Sequence, residues 1–389
     1  MKTLTPRTRP RIALLVETSR SYGRELLRGI ARFGGTVSNW TLLHQEMSID
    51  ETLPQWVMAS KVQGVIARVD DHNIDALRTL RVPIVDVRCS KMFDGVPQVE
   101  TDDRAVARLA FEHLRERGFH RFAYCGFPSA HYSLNRLEYF GEFVKEAGCG
   151  LAVYTSHDDG SQSLSHIERS GIMESEQLVH WLRSLQPPTG IFVCNDIRGQ
   201  QVLNACQLAT ISVPDELAVI GVDNDDAICS LCAPPLSSVH PNAEQVGYRA
   251  AEILSGMLKG VSPSQPIEYI PPRKVIPRLS TQVSAVDDRE VARLCHFIRE
   301  HACEGIKVVD VEQSSALSRR QLERRFRKEL NRSIHDEITS SQIARVKQLL
   351  VETTLSLDGI AQLAGYGHKE QLSTVFKRET GQTPGQFRR

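Results

Sequence analysis

From Arg11 to about Asn224 one pattern recurs: a short run of β-branched and aliphatic residues, then a stretch with helical spacing of apolar side chains. "RIALLVE", "WTLLHQ", "VQGVIARV" and "VPIVDV" alternate with "YGRELLRGIARFG" and "IDALRTL". Strand and helix in this order build βαβ units, and βαβ units build parallel sheets. The rhythm continues through "AVARLAFEHLRERG", "RFAYCGF", "NRLEYFGEFVKEAG", "LAVYTS", "SEQLVHWLRSL", "TGIFVCND", "QQVLNACQLA" and "LAVIGVDN". One open sheet of ordinary width does not hold so many strands, so the pattern predicts two α/β lobes.

The pattern then stops. After "QVGYRAAEILSGMLKG" comes "VSPSQPIEYIPPRKVIPRLSTQ", whose prolines forbid a helix and suit a last strand leading into a connector. Beyond a boundary at Val275 to Asp287 every segment has helical spacing. The expected layout is a tail at 1–10, an effector-binding domain at 11–279, a linker at 280–287 and a helical domain at 288–389. The apolar fraction is 41%, the charged fraction 24%, and no apolar run approaches a membrane span. "MKTLTPRTRPRIALLVETS" reads as a strand rather than a signal peptide, because Glu17 interrupts its apolar run. Nine cysteines, an odd number and mostly single, argue against a disulfide framework and for a reducing cytoplasm.

The last hundred residues hold two short-helix, turn, longer-helix segments, near Val309–Leu330 and Ser356–Thr380. In the first, Ser318 caps a helix with Leu322, Phe326 and Leu330 on one face. Between Leu317 and Arg332 stand seven basic residues and two acidic ones. In the second, Gly365 breaks a short helix, and Leu372, Val375 and Phe376 anchor the next one. Both fit the helix-turn-helix plan, in which the second helix enters the major groove. A helix at about 333–351 would separate them by about 28 Å. Successive major-groove faces lie about 34 Å apart, so one chain can present two reading helices to adjacent groove segments.

The signature "IAQLAGYGHKEQLSTVFKRETGQTPGQFR" resembles that of the AraC/XylS family of transcription regulators, with the match covering Asp288–Arg389. The resemblance implies seven helices and double-stranded DNA as partner. By position it implies base contacts from Arg320, Glu323, Arg324, Lys369, Glu370, Gln371 and Thr374. Arginine forks suit guanine, Glu accepts from cytosine and Gln pairs with adenine. Arg319 lies on the same face, and Arg327, Lys328, Lys377 and Arg378 are expected on phosphates. Ala316 stands where the family's turn favours glycine, which predicts a first turn unlike the second.

Three stretches resemble LacI/GalR regulators and sugar-binding receptors: "PQVETDDRAVARLAFEHLRERGFHRFAYCGF", "PTGIFVCNDIRGQQVLNACQLATISVPDELAVIGVDN" and "PPLSSVHPNAEQVGYRAAEILSGMLKG". This resemblance spans Arg11–Leu279 and implies a type I periplasmic-binding-protein fold with a sugar in the cleft between two α/β lobes. Matching positions imply ligand contacts from Arg136, Asn195, Asp196 and Asp223, with Glu17, Arg20 and Tyr22 after the first strand. For Asp196 the competing reading is a helix cap.

Only ten residues precede Arg11, leaving no room for a LacI-type DNA-binding module ahead of the first strand; the C-terminal pair takes that role. The combined architecture resembles the xylose operon regulator family. It implies a cytoplasmic, sugar-responsive regulator, an activator and homodimer, with RNA polymerase as a further partner and no membrane, metal or cofactor. The alternative is a sugar-binding receptor or transport-associated protein, which leaves the basic helical end without a use. "CSLC" at Cys229–Cys232 has redox or zinc spacing but no second pair, and reads as structural. "SHDDG" at 156–160 reads as a polar loop. With no phosphate loop, paired catalytic carboxylates or nucleophile elbow, an enzyme is not expected.

Overall fold

A computed structural model describes residues 9–46, 54–155, 174–282 and 288–388. The chain divides into two compact units, Met1–Gln282 and Val283–Arg389.

In the first unit each aliphatic run becomes a strand, and the strands sort into two six-stranded sheets, ordered β11-β5-β4-β3-β1-β2 and β12-β10-β9-β8-β6-β7. The first lobe contains β1 (Arg11–Leu15), β2 (Thr41–Gln45), β3 (Gly64–Ala67), β4 (Ile84–Asp86), β5 (Gln98–Thr101) and β11 (Ile267–Ile270). The second contains β6 (Arg121–Cys125), β7 (Gly150–Tyr154), β8 (Thr189–Val193), β9 (Leu217–Val222), β10 (Ser237–His240) and β12 (Lys274–Ile276). Pairing is parallel except between β10 and β12. β8 and β9 are buried at every position, as expected for strands covered by helices on both faces.

Three crossovers join the lobes, after β5, after β10 and between β11 and β12. The proline-rich segment read as one final strand is therefore two, one in each sheet, because Pro271 and Pro272 carry the chain across. The crossovers are tied together: Asp102 N–H donates to Ile270 O (2.8 Å), Arg273 N–H to His240 O (2.9 Å) and Thr101 Oγ1 to Pro241 O (3.3 Å). In the first lobe, helix Ser21–Phe33 lies against helix Ala243–Leu258 at backbone contact. A Cβ on Gly29 would stand 1.9 Å from Glu244 O, and one on Gly247 2.1 Å from Leu26 O. No larger residue permits that approach.

The unit ends in a short 3-10 turn, Leu279–Thr281, that the second lobe holds firmly. Ser280 and Thr281, assigned to the linker by the sequence reading, are fully buried here. Their hydroxyls join Ser237, Val219 O and the His113 ring.

The second unit consists of seven α-helices among its described residues, and it is a repeat with a fifty-residue offset. Arg319–Leu330 and Lys369–Thr380 are both twelve residues long. Each ends on a left-handed residue, Asn331 (φ 54°) and Gly381 (φ 75°). Each is followed by a helix with a capping box, Ser333 with Asp336 and Thr383 with Gln386. Helix Ile334–Glu352, about 28 Å long, serves both halves. Its Ile334 and Ile338 join the core around Leu322 and Phe326, while Ile343, Val346, Leu349 and Leu350 join the core around Leu372 and Phe376.

The two turns differ as expected, for a different reason. Gly365 is left-handed (φ 78°), and its counterpart by the offset is Ser315, not Ala316. No residue from 314 to 317 is left-handed. The first turn is instead pinned by side chains: Ser315 Oγ donates to Glu290 (2.6 Å) and Arg293 to Ser314 O (2.7 Å).

A Cβ on Gly365 would meet Ala302 O and Cys303 O at 2.9 Å. Gly365→Ala is expected to destabilise the second unit by at least about 1 kcal/mol from the left-handed backbone alone. All three tryptophans, Trp40, Trp56 and Trp181, lie in the first unit. In urea, helical ellipticity should therefore fall at a lower midpoint while tryptophan fluorescence keeps its own.

Candidate ligand cleft and nucleic-acid interface

Parallel strands deliver their C-terminal ends to the space between the lobes, the usual ligand position in such sheets. Its centre is a buried ion pair. Arg136, on helix His131–Glu146, donates from Nε to Asp103 Oδ1 (2.7 Å) and from another nitrogen to Cys194 O. Both side chains are only 5% exposed. Tyr132, one helical turn earlier, stacks over the guanidinium (5.0 Å), and its hydroxyl accepts from Asn195 Nδ2 (3.1 Å). Asp223 follows β9 with φ 110°, a conformation rare for a residue with a side chain. Burial raises its carboxyl above the usual range, while Arg136, Arg20 and Arg68 act to lower it. Those three arginines come from both lobes, so charges from both act on this carboxyl.

Asn195 also caps helix Asp196–Ala209, its side chain accepting from Arg198 N–H (2.9 Å). The cap thus falls one residue before the position weighed for it. Asp196 is turned away into the lobe: its carboxylate accepts from Ser238 Oγ (2.6 Å), Asp225 N–H (2.8 Å) and Cys229 Sγ (3.3 Å). Those donors use its acceptor capacity, so its role is to build the β9 end of the cleft. Glu17 is engaged by Arg68 (2.9 Å), and the Tyr22 hydroxyl by Thr101 Oγ1 (3.1 Å). Both line the first lobe's side with their polar atoms already partnered.

Sequence reasoning missed Asp103, Tyr132 and Asp225. Tyr132 had a signal, its i,i+4 spacing from Arg136. Asp225 had none: it joins the lobes by accepting from Ser21 N–H (3.2 Å) and Arg24 (3.3 Å), 204 and 201 residues away. Cys229 and Cys232 are buried free thiols, and burial pushes Cys232 up to about 12 and Cys229 further. Such thiols are poor ligands and nucleophiles. Among the described residues no group of three His, Cys, Asp or Glu is placed to hold a metal; the "SHDDG" segment at 156–160 lies outside them.

In the second unit the helices at 319–330 and 369–380 bury equivalent residues, Leu322 and Phe326, Leu372 and Phe376, all with zero exposure. The opposite faces are open: Arg319, Arg320, Arg324, Arg327 and Lys328 on one, Lys369, Glu370, Gln371, Thr374, Lys377 and Arg378 on the other. Glu323 is half-buried beside the first set. Arg319 and Lys369 are each steered by a carboxylate of the preceding short helix, Glu312 (3.2 Å) and Asp358 (3.0 Å). Under the offset Arg320 corresponds to Glu370 and Arg324 to Thr374. The two faces share a shape and differ in chemistry. The first is almost wholly cationic; the second mixes donors and acceptors.

Two α/β lobes around a polar cleft, joined to a paired helix-turn-helix unit, define a ligand-responsive DNA-binding regulator. Residues 11–104 match a model described as the XylR N-terminal domain, 111–281 a periplasmic binding protein-like domain and 313–389 a helix-turn-helix domain. The chain is 34% identical to the xylose operon regulatory protein of Escherichia coli strain K12, over 98% of this chain and 97% of that one. It is 32% identical to the protein of that name from Haemophilus influenzae, over 97% and 98%. A solved structure of a xylose-binding transcription activator matches with a TM-score of 0.79 at 33% identity, covering 98% of both chains. The chain belongs to the xylose operon regulator family and is a sugar-responsive transcription regulator. No helix among the described residues is long and apolar enough to cross a membrane.

Arg136→Met should destabilise the first unit by about 3–5 kcal/mol, because it leaves the Asp103 carboxylate buried without its cation. Arg136→Met combined with Asp103→Leu should recover a large part of that loss. Tryptophan-monitored unfolding of the two variants measures the difference.

Proposed function

We propose that the chain is an activator that closes its cleft on a monosaccharide of the xylose class and thereby alters how its reading helices engage an operator. The observation that carries this reading is the fifty-residue repeat, two exposed polar helix faces rooted in one shared spacer helix. A periplasmic-binding-type cleft supplies the sensor. In the cleft, Arg136 offers its remaining N–H groups and Asp223 its carboxyl to sugar hydroxyls. Asn195 and Tyr132 supply an amide and a ring, and Arg20 reaches in from the opposite lobe. Glu17 and Tyr22 shape the wall. On DNA, Arg320, Glu323 and Arg324 read one groove segment, and Lys369, Glu370, Gln371 and Thr374 read the next. Arg319, Arg327, Lys328, Lys377 and Arg378 hold phosphates. A cytoplasmic homodimer in contact with RNA polymerase completes the proposal, and the sugar leaves chemically unchanged.

Helix Asp103–Glu116 supplies a route from sensor to output. Its first residue pairs with Arg136 in the cleft, and about 20 Å further along its last turn holds the linker root. There His113 Nε2 and Thr281 Oγ1 are 2.7 Å apart, and Arg117 Nε donates to Thr281 O (2.8 Å). Burial lowers the His113 ring to about 3, so it stays neutral and keeps this contact throughout the physiological range. A ligand that pulls on Arg136 and Asp103 acts on the segment leading to the second unit. It shifts the regulator only by binding one arrangement better than the other.

Three experiments test the reading. D-Xylose should raise the melting temperature of the first unit and change affinity for a duplex selected from a random pool. Arg320→Ala with Arg324→Ala should relax sequence preference at a cost of about 1–3 kcal/mol per lost base contact, whereas Arg327→Ala should weaken all sequences alike and lower the salt slope by about one. Unchanged binding by the double variant would remove the first reading helix from the model. Thr281→Val with Arg117→Ala should keep both sugar binding and DNA binding yet lose the effect of one on the other.

A further inference from the structure

The two reading helices correspond position by position. Under the fifty-residue offset, 319–328 and 369–378 have the same order of buried, half-buried and exposed side chains. Toward the C-terminal end the chemistry is also the same, because Arg327 and Lys328 correspond to Lys377 and Arg378. Toward the N-terminal end it is not. Arg320 is replaced by Glu370 and Arg324 by Thr374, at positions that are exposed in both helices. Packing therefore does not dictate these differences.

One position keeps its residue and differs in what holds it. Gln321 Oε1 accepts from both the N–H and the hydroxyl of Ser318, each at 3.0 Å, closing the start of its own helix. Its two lone pairs are used. Gln371 stands at the same place in a helix whose N-cap residue, His368, makes no side-chain cap bond, and it has no hydrogen bond among the described residues. The neighbouring charges divide in a similar way. Arg319 is held by Glu312, Arg325 by Asp288 and Lys369 by Asp358. Arg320, Arg324 and Glu370 have no ion pair among the described residues.

We infer that the two helices specify unlike base chemistry: the first selects guanines through Arg320 and Arg324, the second a cytosine and an adenine through Glu370 and Gln371. The half-site read by one chain is then two dissimilar segments about one duplex turn apart. This rests on the DNA reading of these helices. Residues near the N-terminus of a reading helix meet base edges. A guanidinium forks onto guanine O6 and N7, a carboxylate accepts from cytosine N4, and a primary amide pairs with adenine N6 and N7 by using its oxygen and its nitrogen together. Gln321, with its oxygen on Ser318, cannot make that pair; Gln371 can. Glu370 in the place of Arg320 also faces the acceptors of guanine with a negative charge, which turns selection for guanine into selection against it.

Selection of duplexes from a random pool by the full chain, with and without D-xylose, tests the inference, and circular dichroism of each variant checks that its helices are intact. The wild-type site should hold two unlike segments about 10 base pairs apart. Glu370→Arg with Thr374→Arg gives the second helix side chains that the first already carries at the same exposed positions. It should bring guanines into the second segment at the spacing found in the first. Gln371→Ala should lose about tenfold of the preference for adenine in the second segment, whereas Gln321→Ala should leave the first segment as it was. If wild type selects two like segments, if the double substitution leaves the second segment unchanged, or if Gln321→Ala alters the first, the inference fails while the helices remain DNA readers. If wild type selects no sequence at all, the DNA reading fails and the inference goes with it.

Discussion

The buried pair between Arg136 and Asp103 is the contact on which the sensor depends. It joins the helix that borders the cleft to the first residue of the helix that leaves it, and neither charge has water to fall back on. A pair this dry is costly to form and more costly to break. Its surroundings explain why it persists. Cys194 O accepts a second guanidinium N–H, Tyr132 covers the flat face, and Asn135 approaches the far oxygen of Asp103 at 3.5 Å. These contacts use Nε and one terminal nitrogen of the guanidinium, so the pair fixes the orientation of Arg136 as well as its position.

In the DNA-binding unit the corresponding constraint is the single spacer helix. Apolar residues at its N-terminal end enter one core and those at its C-terminal end the other, so neither motif can be displaced without unpacking a shared element. Glu337, buried near the start of that helix, lies 3.5 Å from Arg299 and 2.8 Å from Arg332 and ties it to the first helix of the unit. Gly365 seats the second turn against the backbone at Ala302 and Cys303, and Gln342 donates to the same Ala302 O (3.0 Å). These contacts set the two reading helices on one rigid frame.

Much of this was legible in the chain. Alternating aliphatic runs announced the parallel sheets, and "RRQLERRFRKEL" beside "KEQLSTVFKRET" announced the duplicated reading helix. In both helices the buried and exposed positions follow the spacing seen in the sequence. The errors share a cause. The proline-rich segment was read as one strand because its second half pairs with a different sheet. Ser280 and Thr281 were read as linker because their partners, His113 and Ser237, are far away in the chain. The first turn was compared with the second through Ala316, but the offset aligns Ser315, whose side chain finds Glu290.

The amino-acid sequence by itself determined the element types, the division into sensor and reader, and the face each reading helix presents. Those properties follow from side-chain periodicity over a few residues. Only the tertiary structure decided which charges are consumed by partners within the fold. Asp196 is spent on Ser238, 42 positions away, and Asp103 on Arg136, 33 away. Whether a carboxyl is paired or desolvated is decided by residues that the fold, and not the chain order, brings within 3 Å.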